Sequence, residues 1–152
     1  MEERYLTNFQ PSKVHKVNIG GIQFPDAYRF EWVLEPLRQN GLVNYTMTIG
    51  DISSTLHIQK YGSWAQKASL TLNQSKMDIP AKSVIASKVK LAIEKRGSVF
   101  RLLLDDREML IARLLRHRPG TGATFSVWHE QGQESATHFK LLRVSGTAIV
   151  GE

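Results

Sequence analysis

The amino-acid sequence predicts an α+β domain, an antiparallel sheet of about six or seven strands carrying two or three helices. Three observations predict it. Several segments alternate apolar and polar residues with period 2, as half-buried strands do. Consecutive strands are separated by turns too short for the crossovers that parallel pairing requires. Three further segments carry apolar residues at helical spacing, with capping or stop residues at their ends. If the segments at 80–96 and 106–117 are strands instead, the class becomes an all-β barrel or sandwich with one helix.

Residues 1–13 are polar and are expected to form a flexible arm ahead of a single globular domain, 14–152. Val14–Phe24 is extended, with Gly20-Gly21 marking a bend. Pro25-Asp26 reads as a helix start. Tyr28, Trp32, Val33 and Leu37 form its stripe, and Pro36 and Asn40-Gly41 stop it. Val43, Tyr45, Met47 and Ile49 then alternate with Asn44, Thr46 and Thr48, a half-buried strand ending at the Gly50-Asp51 turn. Leu56, Ile58 and Tyr61 mark the next strand, and Tyr61-Gly62-Ser63 a second turn. In 65–73, Ala68, Leu70 and Leu72 alternate with Lys67, Ser69, Thr71 and Asn73. Three such strands in succession make an antiparallel meander.

Residues 80–96 favour a helix. Asp78 is a candidate cap, Pro80 sits early, Gly97 suits the C′ position, and Ile85, Val89, Ala92 and Ile93 share a face. The rival is a strand in which Ile85, Val89, Leu91 and Ile93 alternate with Lys88, Lys90 and Glu94. Val99–Leu104 reads as a buried strand. Asp105-Asp106-Arg107-Glu108 then resembles a capping box opening a helix over 106–117, with Leu110, Ile111, Leu114 and Leu115 on its apolar face. Its rival is a hairpin around Asp106-Arg107, which lacks the favoured Asn-Gly or Asp-Gly. Finally, Ala123–Glu130 and Ala136–Val144 read as a hairpin around Gln131–Ser135. Val127 would face Phe139 and Phe125 would face Leu141, leaving Ser126, Trp128, His138 and Lys140 on the outer side.

Composition removes several functions. The chain has 152 residues, no cysteine and a formal charge of +6. Absence of cysteine excludes a disulfide scaffold, a thiol nucleophile, an iron–sulfur centre and a thiolate zinc site. No apolar run approaches the ~18–20 residues of a membrane-spanning helix. The opening Met1-Glu2-Glu3-Arg4 lacks the basic start and apolar stretch of a secretory leader, so a cytoplasmic address is expected. Asn44-Tyr45-Thr46 and Asn73-Gln74-Ser75 match the glycosylation sequon, which carries meaning only outside the cytosol.

The charge is unevenly placed. Residues 82–118 hold ten Lys or Arg against four acids, which equals the whole net charge. A basic surface neutralises phosphates and releases counterions, and an adjacent aromatic stacks on an exposed base. The expected function is therefore that of a non-enzymatic protein contacting nucleic acid, RNA or DNA. Lys82, Lys88, Lys90, Lys95, Arg96, Arg113, Arg116, Arg118 and Lys140 would supply the contacts and Trp128 the stacking platform. The alternative is a self-assembling or protein-docking module, coat- or matrix-like. Its basic face would meet an anionic membrane, another copy or a protein partner, with Arg113, Arg116 and Trp32 as anchors.

No catalytic motif is expected, and no cofactor or metal. His15, His57, His117, His129 and His138 form no dense ligand pair. Asp105, Asp106 and Glu108 suit capping better than a cation. Gly120-Thr121-Gly122 precedes a strand, whereas a phosphate loop opens a helix. Ser63 and Ser126 lack a nucleophile elbow.

Overall fold

A computed structural model describes residues 5–9, 16–20, 26–38, 41–61, 65–85, 88–114, 122–129 and 138–149. The fold is nearly all β, two antiparallel sheets in a jelly-roll-like sandwich. The α+β expectation is thereby corrected. Among the described residues the single helix is α1, Lys82–Ile85.

The strands are β1 (Tyr5–Phe9), β2 (Lys16–Gly20), β3 (Ala27–Arg38), β4 (Gly41–Ile49), β5 (Ile52–Tyr61), β6 (Ala65–Leu72) and β7 (Ser75–Ile79). After α1 come β8 (Val89–Arg96), β9 (Val99–Leu104), β10 (Arg107–Arg113), β11 (Gly122–His129) and β12 (His138–Ala148). One sheet runs β1-β12-β3-β8-β9-β10 and the other β2-β11-β4-β5-β6-β7. Strand β1 lies within the segment expected as an arm and pairs with β12.

Over their described residues the three expected helices give way mainly to strands, and in β3 and β8 the burial largely follows period 2. In β3, Tyr28, Phe30, Trp32 and Leu34 are all buried, so the apolar positions run i, i+2, i+4, i+6. Pro36 is tolerated because the pairing of β3 with β8 ends at Leu34, so its missing N–H faces no β8 partner. In 80–96, the helix stops after one turn at Ile85. Val89, Leu91 and Ile93 then enter the core, so good helix formers lose to the burial of one sheet face. The capping-box reading of 106–117 fails at the turn. Asp105 and Asp106 both adopt left-handed φ, +50° and +68°, and join β9 to β10 as a hairpin.

Two bonds fix that strained turn. The Lys90 N–H donates to Asp105 Oδ1 at 3.0 Å, and the Asp105 N–H donates to the Lys90 carbonyl at 2.8 Å. Asp tolerates this backbone region better than most residues because its short side chain bonds locally.

The expected hairpin at 123–144 is also corrected. Strand β11 pairs with β2 and β4, whereas β12 pairs with β1 and β3. The two strands therefore lie in different sheets, and Val127 pairs with Tyr45 and Phe139 with Pro36 rather than with each other.

The β4–β5–β6–β7 meander alternates buried and more exposed residues, except that Ser69 on β6 is itself buried, at 5% exposure. Val43, Tyr45, Met47, Ile49, Ile52, Leu56, Ile58, Leu70 and Leu72 are buried between the sheets. Trp32 from the first sheet packs on Tyr45 and Phe125 from the second, with centroids 5.8 and 5.3 Å away. This aromatic contact joins the two sheets, and it leaves the other face of the second sheet free for polar residues.

Candidate functional site

Alternation dictates the composition of the second sheet's outer face. Because Val43–Ile49 and their partners fill the core, the intervening residues project outward together. Register then aligns them into rows. Trp128 pairs with Asn44, Asn44 with His57, His57 with Ser69 and Ser69 with Asp78. With strands ~4.8 Å apart, this row of five residues spans ~19 Å. The adjacent row is Ser126, Thr46, Thr55, Thr71 and Lys76, and the next is Thr124, Thr48 and Ser53.

The rows differ in how far their groups are already engaged. The Thr46 and Thr55 hydroxyls bond each other at 3.0 Å, and Thr71 Oγ1 accepts the Thr55 N–H at 3.1 Å. In the Trp128 row, His57 Nδ1 donates to Asn44 Oδ1 at 2.5 Å. That bond fixes the neutral tautomer, with Nε2 as an acceptor. Burial lowers the His57 pKa, and the charge of Lys76 lowers it further, so the ring stays neutral at pH 7. The Asn44 amide NH₂ and His57 Nε2 then form a neighbouring donor and acceptor with no protein partner among the described residues.

The row opens at one end into a cleft of about 630 Å³. His57, Gln59, Lys67, Ser69, Lys76 and Asp78 supply its polar lining, and Ile79, Pro80 and Ala81 close one side. At the other end Trp128 is 55% exposed. A large indole left in solvent beside a line of small polar side chains is an available stacking surface.

Among the described residues, those expected to contact nucleic acid do not form one cluster. Lys90 lies on the outer face of the first sheet and pairs with Asp106 at 2.7 Å. Arg96 pairs with Glu94 at 3.2 Å. Lys95 points inward, is 7% exposed, and donates from Nζ to the Asp26 carbonyl at 2.6 Å. Lys82 and Lys88 are exposed on either side of the α1 connection, and Arg113 is exposed on edge strand β10. Arg116, Arg118, His15, His117, Ser63 and Gly120-Thr121 lie outside the described residues, as do the side chains of Lys140, His129 and His138. Trp128 is on the opposite sheet from Lys90 and Arg96, so no platform adjoins these cations.

The acids of that region serve ion pairs. Arg29 bridges Glu94 at 3.3 Å and Asp106 at 2.6 Å, and Arg101 pairs with Glu108 at 2.8 Å. These links hold the Asp106 carboxyl below the usual carboxylate range. Among the described residues no group of His, Asp and Glu could hold a metal. None of their helices is long and apolar enough to cross a membrane.

No family model matches the chain, and no curated protein sequence matches it. Solved structures do match. The galectin LEC-6 of Caenorhabditis elegans aligns over 91% of this chain and 94% of its own, with TM-score 0.55 and 14% identity. The carbohydrate recognition domain of Emp47p aligns over 96% and 89%, with TM-score 0.58 and 10% identity. A tetrameric galectin from the ball sponge Cinachyrella sp. aligns over 87% and 99%, with TM-score 0.57 and 12% identity. The chain shares its antiparallel β-sandwich architecture with these structures, and at such identities the likeness concerns the fold alone.

With this fold the nucleic-acid expectation is corrected, and with it the RNA-binding and basic-face assembly readings. The basic segment is a set of paired cations on one sheet plus scattered ones at its margins. Trp32, expected as an interface anchor, is fully buried. Sequence reasoning missed Asn44, His57, Ser69, Lys67, Lys76 and Asp78 as a group. The signal was present as polar residues at alternate positions of successive strands, but only the strand register gathers them into one row.

Proposed function

We propose that the protein is a carbohydrate-binding module and that the outer face of its second sheet is the binding surface. The row Trp128–Asn44–His57–Ser69–Asp78 carries this reading. A sugar presents hydroxyls that donate and accept at once, together with apolar C–H faces. Neighbouring donor and acceptor groups at Asn44 Nδ2 and His57 Nε2 suit a vicinal hydroxyl pair. Asp78 adds a charged acceptor, which makes stronger bonds than a neutral one. Trp128 offers a flat face to the C–H surface. An open, pre-formed groove of polar groups with one aromatic wall fits such a ligand better than a closed apolar pocket would. The galectins and the carbohydrate recognition domain of similar fold support the same reading by analogy.

Binding here requires no chemistry on the sugar, and we assign the domain recognition alone. The single-domain organisation over 14–152 and a cytoplasmic address belong to this proposal. Screening against immobilised glycans tests it. The wild-type chain is expected to retain a subset of glycans that His57→Ala and Ser69→Ala release. Retention of none, or an unchanged pattern in both variants, would refute it.

A further inference from the structure

We infer that the ligand of this groove is an acidic saccharide, one carrying a carboxylate or sulfate; the inference rests on the sugar-binding reading above. The observation is a difference in charge pairing between the two outer faces. On the first sheet Arg29, Lys90, Arg96, Arg101 and Arg143 each meet a carboxylate within 3.3 Å. In the groove, Lys67 and Lys76 are exposed, line the same cleft, and form no ion pair among the described residues.

Register explains their placement. Lys76 stands opposite Thr71 on β6, and Lys67 opposite Gln59 on β5, so they lie one row to either side of the His57–Ser69–Asp78 row. A ring seated on His57 and Ser69 therefore has one ammonium on each flank. Lys76 is near enough for its charge to bear on His57. Asp78 is the one carboxylate lining the cleft, and the two lysines leave it with a positive surplus. Two exposed cations with one carboxylate between their rows meet an anion at little desolvation cost, since each ammonium keeps part of its hydration. Trp128 lies two strands from His57, ~10 Å away, and Lys67 and Lys76 lie beyond it on β6 and β7. A single ring about one strand spacing wide cannot touch both ends, so the acidic unit belongs to an oligosaccharide.

Isothermal titration with three tetrasaccharides tests this: neutral chitotetraose, hyaluronan with carboxylates alone, and chondroitin 4-sulfate with both acids. At least one acidic tetrasaccharide is expected to bind more tightly than the neutral one. Lys67→Gln and Lys76→Gln should each weaken it roughly fivefold to tenfold, while Lys88→Gln, outside the groove, leaves it unchanged. Preference for hyaluronan identifies the carboxylate as sufficient, and binding of chondroitin 4-sulfate alone identifies the sulfate. Equal or tighter binding of chitotetraose, unaffected by either lysine variant, would overturn the acidic inference and leave sugar binding standing. An acidic preference that survives both lysine variants, or falls equally in Lys88→Gln, would overturn it as non-specific attraction. Binding of none of the three would overturn both readings.

Discussion

Trp128→Ala isolates the stacking surface from the rest of the fold. A tryptophan side chain presents up to ~250 Å², and at 55% exposure ~140 Å² of it faces solvent. A sugar ring covering one face removes about half, ~70 Å². At ~25 cal/mol per Å² this stabilises the complex by ~1.7 kcal/mol, less ~0.5–1 kcal/mol for immobilising the indole. The variant should therefore bind its glycan about threefold to eightfold more weakly by isothermal titration. Trp128→Phe should recover most of the loss. Folding is a separate readout: an exposed strand residue away from the core changes stability by ~0.5 kcal/mol or less. The melting temperature should then move by no more than ~2 °C. Unchanged affinity in Trp128→Ala would refute the stacking role, and a large fall in melting temperature would refute its placement on the surface.

Four further outcomes follow from the packing and charge. Phe125→Ala removes a ring that contacts Trp32 at 5.3 Å and stacks on Tyr45 at 6.5 Å; it should cost about 3–5 kcal/mol in urea unfolding. Gly97→Ala should cost about 1 kcal/mol, because φ is +61° there although no atom lies within 4 Å of the added Cβ; an unchanged urea midpoint would contradict the left-handed turn. Asp106→Asn should lower stability by at most about 1 kcal/mol, since its carboxylate is 60% exposed. With its pKa held below 3.8, that contribution is complete above pH 3.8 and fades as pH falls; a loss appearing only on raising pH would contradict the ion pairs. For His57 the folded pKa lies below 6.5, so the unfolded chain takes up the proton first. Its burial is therefore without cost above pH 6.5 and destabilising as pH falls below it, with Lys76 adding to the effect. Melting curves of His57→Gln should lose part of the wild-type slope between pH 7 and 5.

The meander of β4, β5 and β6 is legible in the sequence because one face is apolar and the other polar, so side-chain period and burial say the same thing. The failures occur where two periods fit. Tyr28, Trp32 and Val33 fit a helical stripe, yet Tyr28, Phe30 and Trp32 fit a strand, and only the second sheet across the core decides. Asp105-Asp106 carries a capping pattern, and the bonds to the Lys90 backbone that hold it as a turn lie 15 residues away in sequence. Similarly, β11 and β12 follow each other with a turn-rich connection but enter different sheets. Charge misled for the same reason: Lys90, Arg96 and Arg101 pair with Asp106, Glu94 and Glu108 across and along the sheet, so the excess counted along the chain is not one free surface. The groove was invisible because its residues come from five strands between Asn44 and Trp128, and their common face exists only once register is set.

The most direct test of sugar binding at this face is an amide and indole chemical-shift titration of the isotope-labelled chain with the tightest-binding glycan from the screen. Shifts should concentrate at Asn44, His57, Ser69, Asp78 and the Trp128 indole N–H, leaving Arg29, Lys90 and Arg101 on the opposite sheet unmoved. Shifts confined to that opposite sheet, or none at saturating glycan, would contradict it.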